Sequence, residues 1–311
     1  MSTRILVGGV VAMLGTVACE SGASAGTIFA CGNGGAYGLV SGVPSGNDFV
    51  QASAWETHGL AVHAGGAVTG WGDNSQGQLN LPAGTYSQVA TGVLTSYALT
   101  SAGTIGAWGY DAFGQVSGVP SGTFTKITAG RFHATALRSD GVAIAWGYSG
   151  GFGVGTFKDV SSGMDWSLGV RTDGTLYSWG TNSTVYGLAN VPAGNNFIAC
   201  AAGSFDGVAL RSDGTLVAWG DPSLGMLSVP SGNDFVAVAA GHYHAMALHA
   251  DGSVSAWGWD GYGQVSTLPA GTFSSLYGGN GISVLVGEPA PAPGASMFLL
   301  ASGMLGIRRR R

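Results

Sequence analysis

The residues of this chain best suited to chemistry fall in short segments that share one place in a recurring pattern. They are Glu56-Thr57-His58, Val93-Leu94-Thr95, Arg131-Phe132-His133, Met164-Asp165-Trp166, Ser204-Phe205-Asp206, His242-Tyr243-His244 and Gly279-Asn280-Gly281. The sequence on either side is nearly constant from copy to copy, whereas these positions vary. Variable loops on a constant scaffold are where binding residues concentrate, and aromatic residues and arginine dominate the energetics of protein recognition. Glu56, Arg131, Phe132, Asp165, Trp166, Phe205, Asp206, His242 and Tyr243 are therefore the candidate partner-binding residues. His58, His133 and His244 recur at one position and read better as structural groups, each donating to a backbone carbonyl.

Other chemistry finds little support. His242 and His244 form a lone His-x-His, without the third and fourth ligands of a zinc site. The spaced aspartates do not make an EF-hand loop, and Asp73-Asn74 and Asp260-Gly261 read as turn formers. No nucleophile with its base, and no carboxylate pair, stands apart from the repeat. The Gly pairs read as turns rather than phosphate loops. The sequence thus calls for no catalytic residue, no metal and no cofactor.

The scaffold that must hold these loops is legible in the tryptophans. Trp71-Gly72, Trp108-Gly109, Trp146-Gly147, Trp179-Gly180, Trp219-Gly220 and Trp257-Gly258 recur about every 38 residues, with Cys31-Gly32 as a degenerate first copy, and such a period marks a repeat architecture. The clearest copy runs from Asp234 to Gly271. Phe235–Ala240 and Ala245–His249 read as strands, Asp251-Gly252 as a two-residue type I′ hairpin turn, and Ser253–Gly258 as a third strand. Tyr262–Val265 is a candidate short outer strand, and Leu268-Pro269-Ala270-Gly271 leads into the next copy. Trp71, Trp108, Trp146, Trp179, Trp219 and Trp257 are expected to be structural, each filling the space between neighbouring sheets. The copy around Trp146 lacks the Pro-containing link, so a truncated outer strand is expected there.

A small sheet cannot bury both faces alone, so the copies must stack. Thr27–Gly32 matches only the third strand of a unit, and Thr272–Gly278 with Ile282–Val286 match only the first two. Joined, these fragments complete one unit. The expectation is an all-β, seven-bladed β-propeller over residues 26–287, closed by pairing the N- and C-terminal strands.

The units resemble the repeats of the regulator of chromosome condensation family. The resemblance rests on Ala129-Gly130, His133, Ala136-Leu137, Asp140-Gly141 and Ala145-Trp146-Gly147, and on the equivalents from Ala240 to Gly258. The compact Val-Pro-x-Gly links are most similar to those of secreted bacterial members, including the β-lactamase inhibitor proteins of that fold. In those inhibitors, aromatic residues of such loops grip the partner. The nucleotide-exchange function of the eukaryotic members does not carry over, because it goes with a basic nuclear protein. Residues 26–287 carry a net charge of −8, which leaves no basic face to neutralise nucleic-acid phosphates.

The ends read as sorting signals. Residues 1–25 have a positive start at Arg4, an apolar stretch from Ile5 to Ala18 and a small-residue cleavage pattern at Ala23-Ser24-Ala25, as in a secretory signal peptide. Thr16-Val17-Ala18-Cys19 weakly resembles a lipoprotein box. Residues 288–294 form a Pro-rich linker, and residues 295–311 an apolar stretch closed by Arg308-Arg309-Arg310-Arg311. That tail resembles the bacterial PEP-CTERM sorting signal, with Pro-Ala-Pro-Gly in place of Pro-Glu-Pro. The resemblance implies an exosortase-type processing enzyme, a membrane association before processing, and delivery to the cell envelope or extracellular matrix. The functional expectation is an exported binding module for an extracellular protein or glycan, the alternative being a structural matrix component with no defined ligand.

Overall fold

The computed structural model describes residues 26–289, apart from 36, 149 and 182–184. The expected signal segment and sorting helix lie outside the described residues. Seven antiparallel sheets follow one another along the chain. Blade 1 comprises Phe49–Ala54, His58–His63 and Val68–Gly72; blade 2, Tyr86–Thr91, Thr95–Thr100 and Ile105–Gly109; blade 3, Phe124–Ala129, His133–Arg138, Ala143–Gly147 and Gly151–Phe152. Blade 4 comprises Phe157–Ser162, Trp166–Arg171 and Leu176–Gly180; blade 5, Phe197–Ala202, Asp206–Arg211 and Leu216–Gly220; blade 6, Phe235–Ala240, His244–His249 and Val254–Gly258.

Blade 7 is the composite that the sequence calls for. Gly271–Gly278 pairs with Ile282–Pro289, which pairs in turn with Thr27–Gly32. Ile28 lies opposite Val286 and Ala30 opposite Val284. Ile282, Val284 and Val286 then pack on Phe49, Ala52 and Ala54 of blade 1, so the ring is shut by a shared apolar core. The last strand runs further than expected. Glu288 and Pro289, which the sequence assigns to the linker, still face Thr272 and Gly271.

Each first strand carries an aromatic residue at or near its start and a bulge directly after it, from Phe49/Gln51 in blade 1 to Phe273/Ser275 in blade 7. Beyond the bulge these strands line the axis, and the ring is laced there from blade to blade. Gln51 bonds both the amide and the carbonyl of Val89, at 2.8 and 3.0 Å. Gln88 does the same for Ile127 N and Thr125 O. Lys126 pairs with Asp159, whose second oxygen takes the amide of Cys200 at 2.9 Å. A buried ion pair is costly unless its remaining valences are filled, and here the Cys200 and Val160 amides fill those of the carboxylate. Cys31 and Cys200 are free thiols; Cys200 is buried, whereas Cys31 is only half-buried and donates to Thr267 O.

Three expectations need correction. The hairpins are not two-residue type I′ turns. In blade 6 the amide of Gly252 bonds His249 O and the amide of His249 bonds Ser253 O. Only the glycine has a positive φ, 84°. That is a type I turn followed by a glycine in the left-handed region, the three-residue hairpin. The aspartate serves instead as an acceptor, Asp251 Oδ1 taking the Ser253 amide at 2.8 Å. Second, Tyr262–Val265 is a turn rather than an outer strand. Third, the other units have no outer strand among the described residues; the truncated one expected in blade 3 is there, as the two-residue Gly151–Phe152. With the Pro-containing link missing, the short connection folds back onto Ile144 and Ala145 instead of looping outward.

The six tryptophans of the Trp-Gly anchors are buried, and their indoles do more than fill space. Each donates to a carbonyl of the outer loop in the preceding blade: Trp71 to Leu39 O at 3.1 Å, Trp108 to Gln78 O at 2.7 Å, Trp146 to Gln115 O at 3.0 Å, Trp219 to Leu188 O at 3.1 Å and Trp257 to Met226 O at 3.0 Å. The residues supplying these carbonyls are themselves buried plugs between the blades. Trp179 is the exception among the described residues. Its indole nitrogen is buried without a partner, because the loop before it is the shortened one of blade 3. The contrast predicts unequal costs for the same substitution. Trp146→Phe should destabilise the protein by about 1 kcal/mol more than Trp179→Phe, since only the first breaks a made hydrogen bond, while the second removes a buried N–H that has no partner. Urea unfolding of the two variants measures the difference.

A candidate recognition face of aromatic loops

Two sets of loops meet on one face of the ring. The inner set joins the first and second strands of each blade, and its first residues surround the axis. Glu56, Val93, Arg131, Met164, His242 and Asn280 border a depression of about 150 Å³ whose floor is Trp55. Trp55 is buried and occupies the place that glycine holds in the other copies. Below it the small residues of the first strands, among them Ala90, Ala129, Ala202 and Ala240, leave only a narrow axial space.

The third residue of each inner loop opens the second strand and is buried, which divides the candidates. Trp166 and Asp206, both expected to bind a partner, are fully buried, and Asp165 is nearly so. Trp166 donates to Gly203 O at 2.9 Å and belongs to the inter-blade packing. His58, His133 and His244 share its position. Their Nε2 atoms meet Ser96, Ser167 and Ser283 of the next blade at 2.8, 3.3 and 2.9 Å. They are structural, with a serine hydroxyl as partner rather than the carbonyl expected. Burial holds all three imidazoles down to about 4. The last loop is also displaced by one residue: Ile282, not Gly281, stands in the histidine's place, so the variable pair there is Asn280-Gly281. Glu56 and Arg131 are exposed, and Phe132, Phe205, His242 and Tyr243 are half-buried on the face.

The outer set of loops follows each Trp-Gly and holds what the sequence reading passed over. One position of this loop, just before the glycine that precedes the buried plug, is Tyr37, Gln76, Phe113, Tyr186, Leu224 and Tyr262 in turn. The five apolar members are between 43% and 53% exposed. Tyr186 and Leu224 adopt φ of 53° and 58°, a left-handed conformation that costs a side-chain-bearing residue about 1 kcal/mol or more. Aspartates pin these loops. Asp111 Oδ1 takes the amides of Val116 and Ser117 at 2.7 and 3.0 Å, and Asp260 Oδ1 those of Val265 and Ser266 at 2.8 and 3.0 Å. The Ser117 amide lowers the Asp111 carboxyl below its usual range, and the Ser266 hydroxyl, with the Val265 and Ser266 amides, lowers that of Asp260, as a turn former requires. Among the described residues no group of three His, Cys, Asp or Glu side chains is placed to hold a metal.

Inner and outer loops interlock through aromatic rings. Phe113 packs on Phe132 and on Tyr148, each at 5.3 Å, with Tyr110 beside them and the Arg131 guanidinium 4.9 Å over Phe132. A second cluster runs from Tyr186 to Phe205 at 5.1 Å, then through Tyr243 to Trp259 and Tyr262 at 5.8, 5.9 and 4.9 Å. His242 packs against both Phe205 and Tyr243. The exposed edges of these clusters are Phe113, Tyr148, Tyr186 and Tyr262. A periodic exposed apolar residue was available in the sequence as an aromatic or leucine before Gly38, Gly114, Gly187, Gly225 and Gly263.

Comparison with known proteins places the repeat. Residues 235–264 match the Regulator of chromosome condensation (RCC1) repeat. The structure is similar to that of Prp20p from Saccharomyces cerevisiae, with a TM-score of 0.72 at 17% identity over 86% of this chain and 93% of that one. It is similar to human WBSCR16, with a TM-score of 0.69 at 17% identity over 85% of this chain and 99% of that one. It is also similar to the CRINKLY WD40 ectodomain of the Arabidopsis thaliana receptor kinase ACR4, with a TM-score of 0.58 at 21% identity over 74% and 88%. No curated protein matches the sequence. The fold is that of an RCC1-type repeat propeller.

One buried group under this face is out of keeping with the rest. Asp206 replaces the histidine of its position and faces Ala245, where Ser96, Ser167 and Ser283 face the histidines. Both its carboxylate oxygens are buried without a partner. Burial, with Asp221 nearby, pushes its pKa well above the ordinary carboxylate value. The folded state therefore holds this proton more tightly than the unfolded chain does, and stability falls as pH rises beyond the ordinary carboxylate range. The pair of replacements Asp206→His and Ala245→Ser restores the repeat's own hydrogen bond. It should raise unfolding free energy by about 1–3 kcal/mol between pH 7 and 8. The gain should shrink below about pH 6, where the unfolded histidine takes up a proton. Denaturant unfolding across that pH range tests both.

Proposed function

We propose that the protein is a binding module that recognises a protein partner through this aromatic face, acting outside the cytoplasm as an envelope- or matrix-associated protein. The observation that carries the reading is the periodic exposure of Tyr37, Phe113, Tyr186, Leu224 and Tyr262 at one repeat position on one face. Exposed apolar groups gathered on one face mark interaction sites. They are held here by buried plugs and pinned loops, so little ordering entropy is lost on binding. Rigid aromatic anchors beside Arg131 are the residue types that dominate interface energetics. Prp20p, which shares the fold, is described as binding Gsp1p and histones, which favours a macromolecular partner. The acidic charge of residues 26–287 favours one that is not nucleic acid. Export rests on the character of residues 1–25 and 288–311 alone.

The reading is tested in the exporting cell. Proximity labelling with the full chain should enrich a defined partner. The enrichment should fall at least about 100-fold in affinity terms when Phe113, Tyr186 and Tyr262 are together replaced by serine, because each buried aromatic anchor contributes about 2 kcal/mol. The thermal midpoint should fall by only a few degrees, with circular dichroism unchanged, since these side chains are about half exposed and pack only within the loops. Equal labelling by the wild-type and triple-variant proteins would favour a structural matrix component instead.

A further inference from the structure

On the turn side of blades 1 and 6 the fold assembles a constellation that no single stretch of sequence contains. His249, at the end of the second strand of blade 6, receives Asp234 Oδ2 at its Nδ1, 3.0 Å away, and Ser255 Oγ at its Nε2, 2.8 Å away. Blade 1 repeats it with Asp48, His63 and Thr69, at 3.0 and 2.8 Å. The imidazole in each case packs against an aromatic residue, Phe235 or Phe49, with ring centroids 4.4 Å apart and the planes tilted by 43° and 40°. Blades 3, 4 and 5 carry Arg138, Arg171 and Arg211 at the histidine's position, and Ile144, Tyr177 and Val217 at that of the hydroxyl. The hydroxyl thus comes with the histidine and the aspartate, and is lost with them.

The hydrogen-bond topology is that of an activated hydroxyl: nucleophile to one ring nitrogen, orienting carboxylate to the other. Such a site is recognised by geometry rather than by order in the chain. Ser255 lies on the outermost strand of its blade, Val254–Gly258, which has no further strand beside it. The His249 amide bonds Ser253 O, so antiparallel alternation makes Ala247 and Ser255 the next bonded pair and turns the amides of Val254 and Ala256 toward the free edge. One amide on either side of the hydroxyl therefore faces the open edge of the strand, each about 7 Å from the other, so that one of them is free to donate to a developing oxyanion.

We propose that Ser255 is a nucleophile, with His249 as its general base and Asp234 as the residue that orients the imidazole, and that this trio hydrolyses small acyl esters. Ser255 Oγ bonds to the ester carbonyl carbon as its proton passes to His249 Nε2. The carbon–oxygen bond to the leaving alcohol then breaks, and the alcohol departs with that proton. Water, giving its proton to the same nitrogen, releases the acid and restores the serine hydroxyl.

The blade 1 copy supplies an internal control, because Thr69 carries a secondary, more hindered hydroxyl. The full-length protein is treated with a fluorophosphonate probe, labelled peptides are mapped by mass spectrometry, and p-nitrophenyl acetate turnover is followed in parallel. Labelling is expected at Ser255, with turnover that disappears in Ser255→Ala and falls about 100-fold in His249→Gln. Thr69→Ser is expected to create a second labelled residue. Circular dichroism confirms that each variant is folded; should the alanine or glutamine variant unfold, the gain of label at position 69 still decides. No label at Ser255 in the wild type, or none at position 69 in Thr69→Ser, overturns the proposal and leaves the trio as a staple that fixes the link to the hairpin.

Discussion

The constraint on which the rest of the molecule depends lies between the blades. Each indole N–H crosses to a carbonyl supplied by the preceding blade, and the residue bearing that carbonyl is a buried plug. One contact therefore does two things. It satisfies a polar group that would otherwise be costly to bury, and it anchors the base of an outer loop whose tip carries an exposed side chain. Loop and sheet are not separable parts. A blade that loses its tryptophan also loosens the loop before it, and a blade whose loop is shortened leaves the next tryptophan unsatisfied, as Trp179 shows.

The same coupling explains why closure matters. A linear stack would leave the plug surface of one end and the tryptophan surface of the other without partners. The composite seventh blade removes both ends, with Ile28 and Val286 sharing a sheet that packs on blade 1 through Ile282, Val284 and Val286. Its degenerate copy shows what is tolerated. Cys31 has no indole to donate, but the plug carbonyl Gln264 O keeps the Ser283 Oγ donor at 2.8 Å, just as Gln78 O has Ser96 Oγ beside the Trp108 indole. The hydroxyl from the adjoining strand is the donor that remains, and the plug stays buried.

How much of this was legible in the sequence follows from what a repeat encodes. The blade count, the closing strands and the burial of the tryptophans could be read because each is stated seven or six times over, and agreement between copies outweighs local ambiguity. The turn type was misread because Asp-Gly fits both a two-residue and a three-residue hairpin, and the deciding hydrogen bond, from His249 N to Ser253 O, depends on register. Trp166 and Asp206 are variable yet buried, so variability at their position does not signal exposure. Their position is variable for another reason: it faces the next blade, so a histidine there goes with a serine opposite, a tryptophan with Gly207, and an aspartate with Ala245. The exposed position at Tyr37, Phe113, Tyr186, Leu224 and Tyr262 sits outside both the Trp-Gly anchor and the variable inner loops, in a segment whose one reading, Tyr262–Val265, is an outer strand. Only solvent exposure separates that ring of side chains from the buried one.

Departures from the repeat are accordingly the more informative residues, because each can be compared with what its siblings do at the same place. Trp55 stands where the other blades have glycine, and closes the axis beneath the loops. Asp206 stands where a histidine would reach a serine, and leaves a carboxyl unpartnered. Tyr186 and Leu224 hold a conformation that glycine would adopt without cost, yet both present a large side chain to solvent. A propeller selected for stability alone would relieve the last two first, since replacing either with glycine removes backbone strain and an exposed apolar group together. That both burdens sit on one face, in loops otherwise pinned by aspartate and by a buried plug, is the pattern expected where side chains are kept for what they meet outside the molecule rather than for what they do within it.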